Sequence, residues 1–453
     1  MENKNKQNEH YGLFTATAMI IGIVIGSGIF FKVDDVLKYT GGSVGLGILV
    51  FVIGALSIIF GSLTLTELSV RTEGPGGIIS YFEHFISPRA ASGFGWFQTF
   101  IYFPTINAVI SWVAAIYIFL FLGYKASLEA QIGLGFLIFT FFYGINILSY
   151  KLGGYIQNAV AVIKLIPLIA IAIAGIFYHG QSVAIPEGMK MIGKTQVGLG
   201  WLAALAPIAF SYDGWVVSVN ITNEVKNSKR NMPLALFIGP LTVLSVYILY
   251  FVGLNNMLGS EYIMTTGNEA VNKAGEIMLG GSGTKLLLFF IVISVLGVVN
   301  GMTLGSIRMP WSLASKNMLP DSQKIAKLHP KYELSLPSAL IAYITAALWM
   351  LLHYLTTKSG ILKGSDISEI AIVFSYICYM LLYIKVLSLR KQGDIKSLFK
   401  GVICPVLGLA GSLIILVGGL ISNPFYVACF IIFCGLVCLS GALYYKGRSA
   451  KKY

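Results

Sequence analysis

Long apolar stretches alternate with short polar segments along almost the whole chain. A helix needs about 20 mostly apolar residues to cross a bilayer, and this pattern predicts twelve such spans. The third stretch is the longest, and because no charge interrupts it we predict a single tilted span there. The predicted bounds are 13–37, 44–69, 91–123, 128–149, 155–178, 199–222, 233–256, 284–307, 336–356, 367–389, 402–421 and 425–445.

Two of these spans, the first and the sixth, are interrupted. Gly26-Ser27-Gly28 lies in the middle of the first, where each glycine costs about 1 kcal/mol relative to alanine. In the sixth, Pro207 removes a helical hydrogen bond, and Asp213 follows within the same apolar run. Interrupted spans at corresponding places in two halves of a membrane chain indicate the substrate site of a transporter.

The positions of the interruptions predict an all-α membrane protein built from two five-helix repeats, at 13–178 and 199–389. An odd number of spans per repeat inverts the second repeat relative to the first. Two further helices occupy 402–445, and short cytoplasmic termini occupy 1–12 and 446–453.

Composition agrees with this assignment. Apolar residues make up 56% of the chain and charged residues 11%, whereas soluble domains carry about 25% charged residues. Most of the 32 Lys and Arg residues fall on one side of the predicted topology, which places both termini in the cytoplasm of a cell-membrane protein. The net charge of +13 is therefore a topology signal, and no nucleic-acid partner is expected. The sequence contains no metal-ligand spacing, phosphate loop or nucleophile–base pair, so we expect neither an enzyme nor a cofactor.

The first interruption offers two kinds of backbone group. The half-helix that starts near Gly28 has free N–H groups, which suit a carboxylate. The carbonyls of Ile23 and Val24, before the break, could accept from an ammonium group. Together they predict a site for an α-amino acid, the alternative being close helix packing through small residues.

The second interruption adds side chains. Phe210 could cover a bound ligand as a gate, and its carbonyl could accept from the amine, although core or lipid packing would also explain it. Ser211 follows in the same break. Asp213 is an acid inside a membrane segment, which is costly and usually functional, whether it is protonated, paired, capping the second half-helix or contacting substrate.

Lys164 lies in the middle of the fifth span, far from either end. Its ammonium needs internal acceptors, for which the unwound carbonyls of the first span are candidates. It could occupy the space of a sodium ion, carry a proton, or pin the fifth span to the first. Because Lys164 and Asp213 are the only ionisable residues expected deep in spans, we predict a neutral substrate, with a cationic substrate at Asp213 as the alternative. Other polar residues inside spans are expected to form interhelical hydrogen bonds, namely Tyr102, Asn107, Trp112, Ser294 and Asn300.

Several motifs, in order and spacing, resemble the L-type amino acid transporters of the amino acid–polyamine–organocation superfamily. They are Gly26-Ser27-Gly28-Ile29-Phe30, residues 73–77 with Tyr81, Asp213-Gly214-Trp215, residues 223–227, residues 230–233 and residues 308–320. The resemblance implies the leucine-transporter fold, with substrate carboxylate at the backbone of Ser27, Gly28 and Ile29.

The resemblance also implies that the substrate amine meets carbonyls near Ile23, Val24 and Phe210, with Phe210 as gate. It implies sodium-independent exchange of neutral amino acids, with Lys164 where sodium-coupled relatives hold an ion. Animal L-type subunits join a heavy chain through a cysteine in the loop after the third span. The loop at 123–129 has no cysteine here, so we expect no disulfide-linked heavy chain.

We therefore predict a sodium-independent exchanger of small neutral L-amino acids that works by alternating access. A proton-coupled symporter that uses Lys164 is the alternative within the same fold. An amino acid sensor that binds without transport is the alternative from another class, although the short loops leave little mass for a signalling output.

Overall fold

The computed structural model describes residues 12–26, 28–72, 77–148, 160, 163–180, 183–216, 225–332, 334–362 and 365–450. Ser27, residues 73–76 and residues 223–224, which belong to the motifs above, lie outside the described residues. So do residue 149 of the fourth predicted span, the connecting residues 150–154, residues 155–159 and 161–162 of the fifth span, and 217–222 of the sixth.

Every regular element in the described part of the chain is helical. In chain order the helices are α1 Leu13–Val24, α2 Gly28–Phe31, α3 Val33–Tyr39, α4 Val44–Ser69, α5 Gly77–Tyr81, α6 Pro88–Phe97, α7 Phe103–Leu122, α8 Leu128–Leu148, α9 Leu165–Ile176, α10 Leu205–Ser211, α11 Ser228–Leu258, α12 Ser260–Thr266, α13 Glu269–Ser315, α14 Ser322–Ile325, α15 Leu336–Ser359, α16 Ile367–Gln392, α17 Cys404–Ser422 and α18 Pro424–Ala450. Helical turns of other types adjoin them at Phe82–Ile86, Gln98–Tyr102, Gly198–Ala204 and Phe399–Ile403.

Nine helices in the described residues are long and apolar enough to cross a membrane. They coincide with nine of the predicted spans, and they are Val44–Ser69, Pro88–Leu122, Leu128–Leu148, Ser228–Leu258, Gly283–Ser315, Leu336–Ser359, Ile367–Gln392, Phe399–Ser422 and Pro424–Lys446. In the longest predicted stretch, α6, the helical turn Gln98–Tyr102 and α7 follow one another without a break over the 35 residues Pro88–Leu122, as a single span requires.

The three other predicted spans correspond to shorter apolar helices, at Leu13–Gly22, Leu165–Ile176 and Gly198–Ser211. Leu13–Gly22 and Gly198–Ser211 belong to the two interrupted spans. These two helices are short because each is only half of its span and is below the length that crosses a bilayer. The total of twelve spans stays a prediction.

Local sequence sets several helix ends. Ser43 precedes α4 in an extended conformation, and its hydroxyl accepts from the Leu46 N–H at 3.3 Å. Asp366 caps α16 in the same way by accepting from the N–H groups of Ser368 and Glu369. After α7, Gly123 adopts the left-handed conformation (φ 77°) that ends a helix and that glycine enters without strain.

Small residues allow the helices around the breaks to approach closely. A Cβ on Gly175 of α9 would lie 2.1 Å from the Gly253 carbonyl oxygen of α11. A Cβ on Gly28 of α2 would lie 2.7 Å from the Ser211 Cα of α10. Lipid chains are as apolar as the side chains, so this close packing holds helices together inside a membrane. It also brings the two breaks side by side.

Candidate functional site

The first break separates α1 from α2. α1 ends at Val24, and Ile25 leaves the helical conformation at ψ 101°. The next described helix begins at Gly28, and hydrogen bonds from the Lys32 N–H to the Gly28 carbonyl and from the Val36 N–H to the Lys32 carbonyl join α2 to α3. The first N–H groups of this helical segment have no partner within it. The backbone at Ile25 and Gly26 is thus non-helical between two helical segments.

The second break follows α10, which ends at Ser211. The Asp213 N–H donates to the Phe210 carbonyl at 3.1 Å, and Gly214 takes the left-handed conformation at φ 94°. The Ser211 hydroxyl donates to the Pro207 carbonyl at 2.9 Å, one turn back along α10. This bond directs the Ser211 hydroxyl proton into its own helix.

Tyr247 of α11 ties the two breaks together. Its hydroxyl donates to the Ser211 carbonyl at 2.9 Å and lies 3.5 Å from the Val24 carbonyl oxygen. Tyr247 is fully buried. The ends of α1 and α10 therefore share one hydrogen-bond donor from a third helix.

Lys164 reaches the first break from the start of α9. Its ammonium donates hydrogen bonds to the carbonyls of Gly22 and Ile25, and the residue is 3% exposed. The Gly22 carbonyl lies in the last turn of α1 and the Ile25 carbonyl directly after it, where the helix supplies no further N–H donors. The side chain therefore pairs a buried charge with backbone groups that would otherwise lack partners.

Asp213 pairs with the third predicted span. The Tyr102 hydroxyl donates to Asp213 Oδ2 at 2.5 Å, which links the second break to the turn before α7. Asn107, Trp112 and Asn300 also form hydrogen bonds between helices, as the sequence predicts. The Ser294 hydroxyl instead donates to the Phe290 carbonyl within its own helix, so that prediction is wrong for Ser294.

A cavity of about 280 Å³ lies between the two breaks. Its volume is just below the usual range for small-molecule sites, about 300–1,000 Å³, and so suits a small ligand. Of the residues singled out in the sequence, those lining it are Gly26, Gly28, Lys164, Phe210 and Asp213. Val24, Ile29 and Ser211 are buried in the same breaks but are not among the described lining residues. Ile23 is the penultimate residue of α1.

The rest of the cavity wall was not predicted from the sequence. α7 contributes Ile106 and Ile110, and α13 contributes Val298, Gly301 and Met302. These side chains are apolar or absent, so the wall opposite the breaks is mostly hydrophobic. Their identity depends on which face of each helix turns inward, and uniformly apolar spans such as these do not encode that face in their hydrophobic pattern.

A group of charged residues adjoins Phe210 on the side of α2 and α3. We call Lys32, Asp35, Asp366 and Glu369 the outer charge cluster. The Lys32 ammonium bonds the Asp366 carboxylate at 2.8 Å and the Glu369 carboxylate at 2.5 Å, and it lies 3.7 Å from Asp35. Lys32 and Glu369 are buried within predicted spans, which corrects the expectation that only Lys164 and Asp213 are ionisable at depth.

The outer charge cluster covers Phe210, the residue predicted to act as a gate. The Lys32 ammonium lies 5.4 Å from the centre of the Phe210 ring, within the range of a cation–π contact. Phe210 also meets Phe31 edge to face, with ring centres 5.4 Å apart. Beyond this layer, Phe31, Lys32 and Asp366 line a second cavity of about 290 Å³. The aromatic pair and Lys32 thus separate two cavities.

Comparison with known sequences identifies the family. A model of the amino acid permease family matches residues 11–445, which is nearly the whole chain. The chain belongs to the amino acid permease family. This match confirms the predicted superfamily, and membership is consistent with the leucine-transporter fold. The chain is therefore a multi-pass membrane protein that transports amino acids, and it is not an enzyme.

The relatives of this permease include an exchanger. It is 28% identical to the serine/threonine exchanger SteT of Bacillus subtilis, over 99% of this chain and 98% of that protein. It is 25% identical to the b(0,+)-type amino acid transporter 1 of Homo sapiens, over 96% of this chain and 86% of that protein. Identity to the large neutral amino acids transporter small subunit 2 of Homo sapiens is 27%, over 76% of this chain and 65% of that protein.

Proposed function

We propose that this permease exchanges small neutral L-amino acids across the cell membrane, without sodium, by alternating access. The observation that carries the proposal is the cavity of about 280 Å³ between the two breaks, with a buried ammonium at one of them. The full-length similarity to a serine/threonine exchanger supports exchange and a small substrate.

The backbone of the first break holds the substrate carboxylate. Gly28 and Ile29 supply N–H groups at the start of a helical segment, where the helix dipole favours an anion. Ser27, which the sequence predicts for the same role, lies outside the described residues. The carbonyls of Ile23, Val24 and Phe210 accept from the substrate amine. The hydrophobic wall from α7 and α13 receives the side chain, and its apolar character supports neutral substrates.

Phe210 is the gate in this proposal. The gate is closed when the Phe210 and Phe31 rings meet and Lys32 bonds Asp366 and Glu369. To open the cavity between the breaks toward the second cavity, at Phe31 and Lys32, these contacts must separate. Alternating access then requires the opposite side of the cavity to close.

Lys164 takes the position of a coupling ion. Its ammonium already donates hydrogen bonds to the carbonyls of Gly22 and Ile25, so no sodium ion is needed to hold the end of α1. Proton-coupled symport is the second candidate, since the same buried amine could release and regain a proton as the site opens.

Both termini are placed in the cytoplasm, in agreement with the distribution of Lys and Arg. The segment between α7 and α8 contains no cysteine, so we propose that the permease works without a disulfide-linked heavy chain.

Counterflow in proteoliposomes tests the proposal. Liposomes loaded with unlabelled serine are expected to take up labelled serine faster than empty liposomes, equally in sodium and in choline buffer. Uptake into empty liposomes that depends on an inward proton gradient would favour symport instead. Substrate binding without flux would favour a sensor.

A further inference from the structure

A third cavity, with a polar lining, lies at the end of α4, on the predicted cytoplasmic side. Its volume is about 340 Å³, and its walls come from the end of α4, the start of α11 and the segment between α16 and α17. The cationic lining residues are Arg71, Lys229, Lys396 and Lys400, and one carboxylate, Glu67, also lines it. We call this the basic cavity.

The base of the basic cavity is held in place by ion pairs. Glu67 is buried, and its two carboxylate oxygens bond Arg71 at 2.8 Å and lie 3.3 Å from the Lys400 ammonium. Arg390 donates to the carbonyls of Ile395 and Lys396, at 2.8 and 3.0 Å, and so shapes the loop that forms one wall. The cavity is therefore preformed by bonds that do not involve a ligand.

The charges of the basic cavity do not cancel. Glu67 offsets one of the four cations, so the lining carries a formal surplus of three positive charges. Within the described chain, neither Lys229 nor Lys396 forms an ion pair, and both are exposed. A concave site with several free cations suits an anion with more than one oxygen, and phosphate groups meet that description.

Apolar side chains continue from this site toward the membrane. Lys229, Pro233 and Phe237 follow one another at intervals of four residues, so they share one face of α11. Phe237 is 47% exposed, and Leu398 and Phe399 on the other wall are 60% and 49% exposed. A headgroup in the cavity would have acyl chains beside these residues.

We propose that the basic cavity binds the phosphate group of an anionic phospholipid of the cytoplasmic leaflet. Basic pockets between spans on the cytoplasmic side are suited to such headgroups. The phosphate chemistry alone would also accept a soluble phosphate compound, and the experiment separates the two sources.

The test compares detergent-purified wild type with Lys229→Gln/Lys396→Gln. Both changes leave the pairs of Glu67 intact, so the cavity keeps its shape. The matched control is Lys324→Gln/Lys327→Gln, which removes two exposed lysines from the same predicted side but outside the cavity. Each protein is incubated with equal phosphatidylglycerol and phosphatidylcholine, and the bound ratio is read by native mass spectrometry. Glycerol 3-phosphate is then added as a competitor.

The wild type and the control are expected to prefer phosphatidylglycerol at least fivefold, and the cavity variant to bind both lipids equally. Displacement by equimolar glycerol 3-phosphate would support the phosphate site but assign it to a soluble compound. The proposal would be overturned if the wild type bound both lipids equally, or if both double variants lost the preference for phosphatidylglycerol to the same extent. Lys396→Glu alone is the second test if the double variant does not fold, and an unchanged ratio there would also overturn it.

Discussion

Replacing Lys164 by methionine removes the ammonium and keeps a side chain of similar length. The carbonyls of Gly22 and Ile25 then lose their bonds to Lys164 at a buried break. A buried polar group left unsatisfied costs about 1–3 kcal/mol, so the pair implies about 2–6 kcal/mol. Because about 1.4 kcal/mol corresponds to a factor of ten in rate, we expect exchange to fall about 30-fold or more.

The assay is serine counterflow into proteoliposomes that contain equal amounts of inserted protein. Lys273→Met is the matched control, since it removes an ammonium that pairs with Glu276 on the surface, where such pairs contribute little. We expect the control to exchange at the wild-type rate. Wild-type exchange by Lys164→Met, with normal insertion, would refute the role of Lys164 in the mechanism.

A smaller side chain tests the sodium-substitute hypothesis separately. Lys164→Ala leaves space beside two carbonyl oxygens, which are suitable ligands for a hard cation. If the ammonium stands in for sodium, sodium buffer is expected to restore part of the exchange that choline buffer does not. Equal exchange in the two buffers would count against the substitution while leaving the structural role of Lys164 in place.

Three further changes test the surrounding contacts. Gly28→Ala is expected to abolish exchange but not membrane insertion, because the added Cβ would lie 2.7 Å from a backbone atom of α10. Gly133→Ala is the control, since a Cβ there would have nothing within 4 Å. Equal counterflow rates for the two variants would contradict the close approach. Tyr102→Phe removes the bond to the half-buried Asp213, which at about 1–3 kcal/mol predicts a roughly 5- to 150-fold slower exchange. An unchanged counterflow rate would show that this bond is dispensable. Lys32→Met leaves two buried carboxylates unpaired, at a cost of about 3–5 kcal/mol, so the thermal midpoint in detergent is expected to fall; a wild-type midpoint would exclude a stabilising outer charge cluster.

The positions of the long helices could be predicted because the bilayer imposes a local rule. About 20 apolar residues are needed wherever a helix crosses it, and nine predicted spans have matching helices. The breaks were also visible locally, since Gly26, Gly28 and Pro207 are unfavourable inside helices. The need of Lys164 for carbonyl partners followed from the cost of a buried charge.

The outer charge cluster was not found, although Lys32 and Glu369 stand inside predicted spans. Lys32 lies near the end of the first span and Glu369 near the start of the tenth, positions that suit exposed charges at a membrane surface. Their burial results from α2 and α3 packing against the start of α16, more than 330 residues later in the chain. No local pattern carries that information.

The sequence by itself determined which segments are apolar, where two of them cannot remain helical, and that a buried ammonium needs oxygen partners. Only the tertiary structure decided which oxygens Lys164 binds, that Tyr102 meets Asp213, and which faces of α7 and α13 line the cavity. The physical reason is that lipid accommodates every face of an apolar helix about equally well, so the hydrophobic pattern does not mark the face that packs against other helices. The choice of neighbour then depends on close contacts such as Gly28 against Ser211, which exist only once the helices are packed.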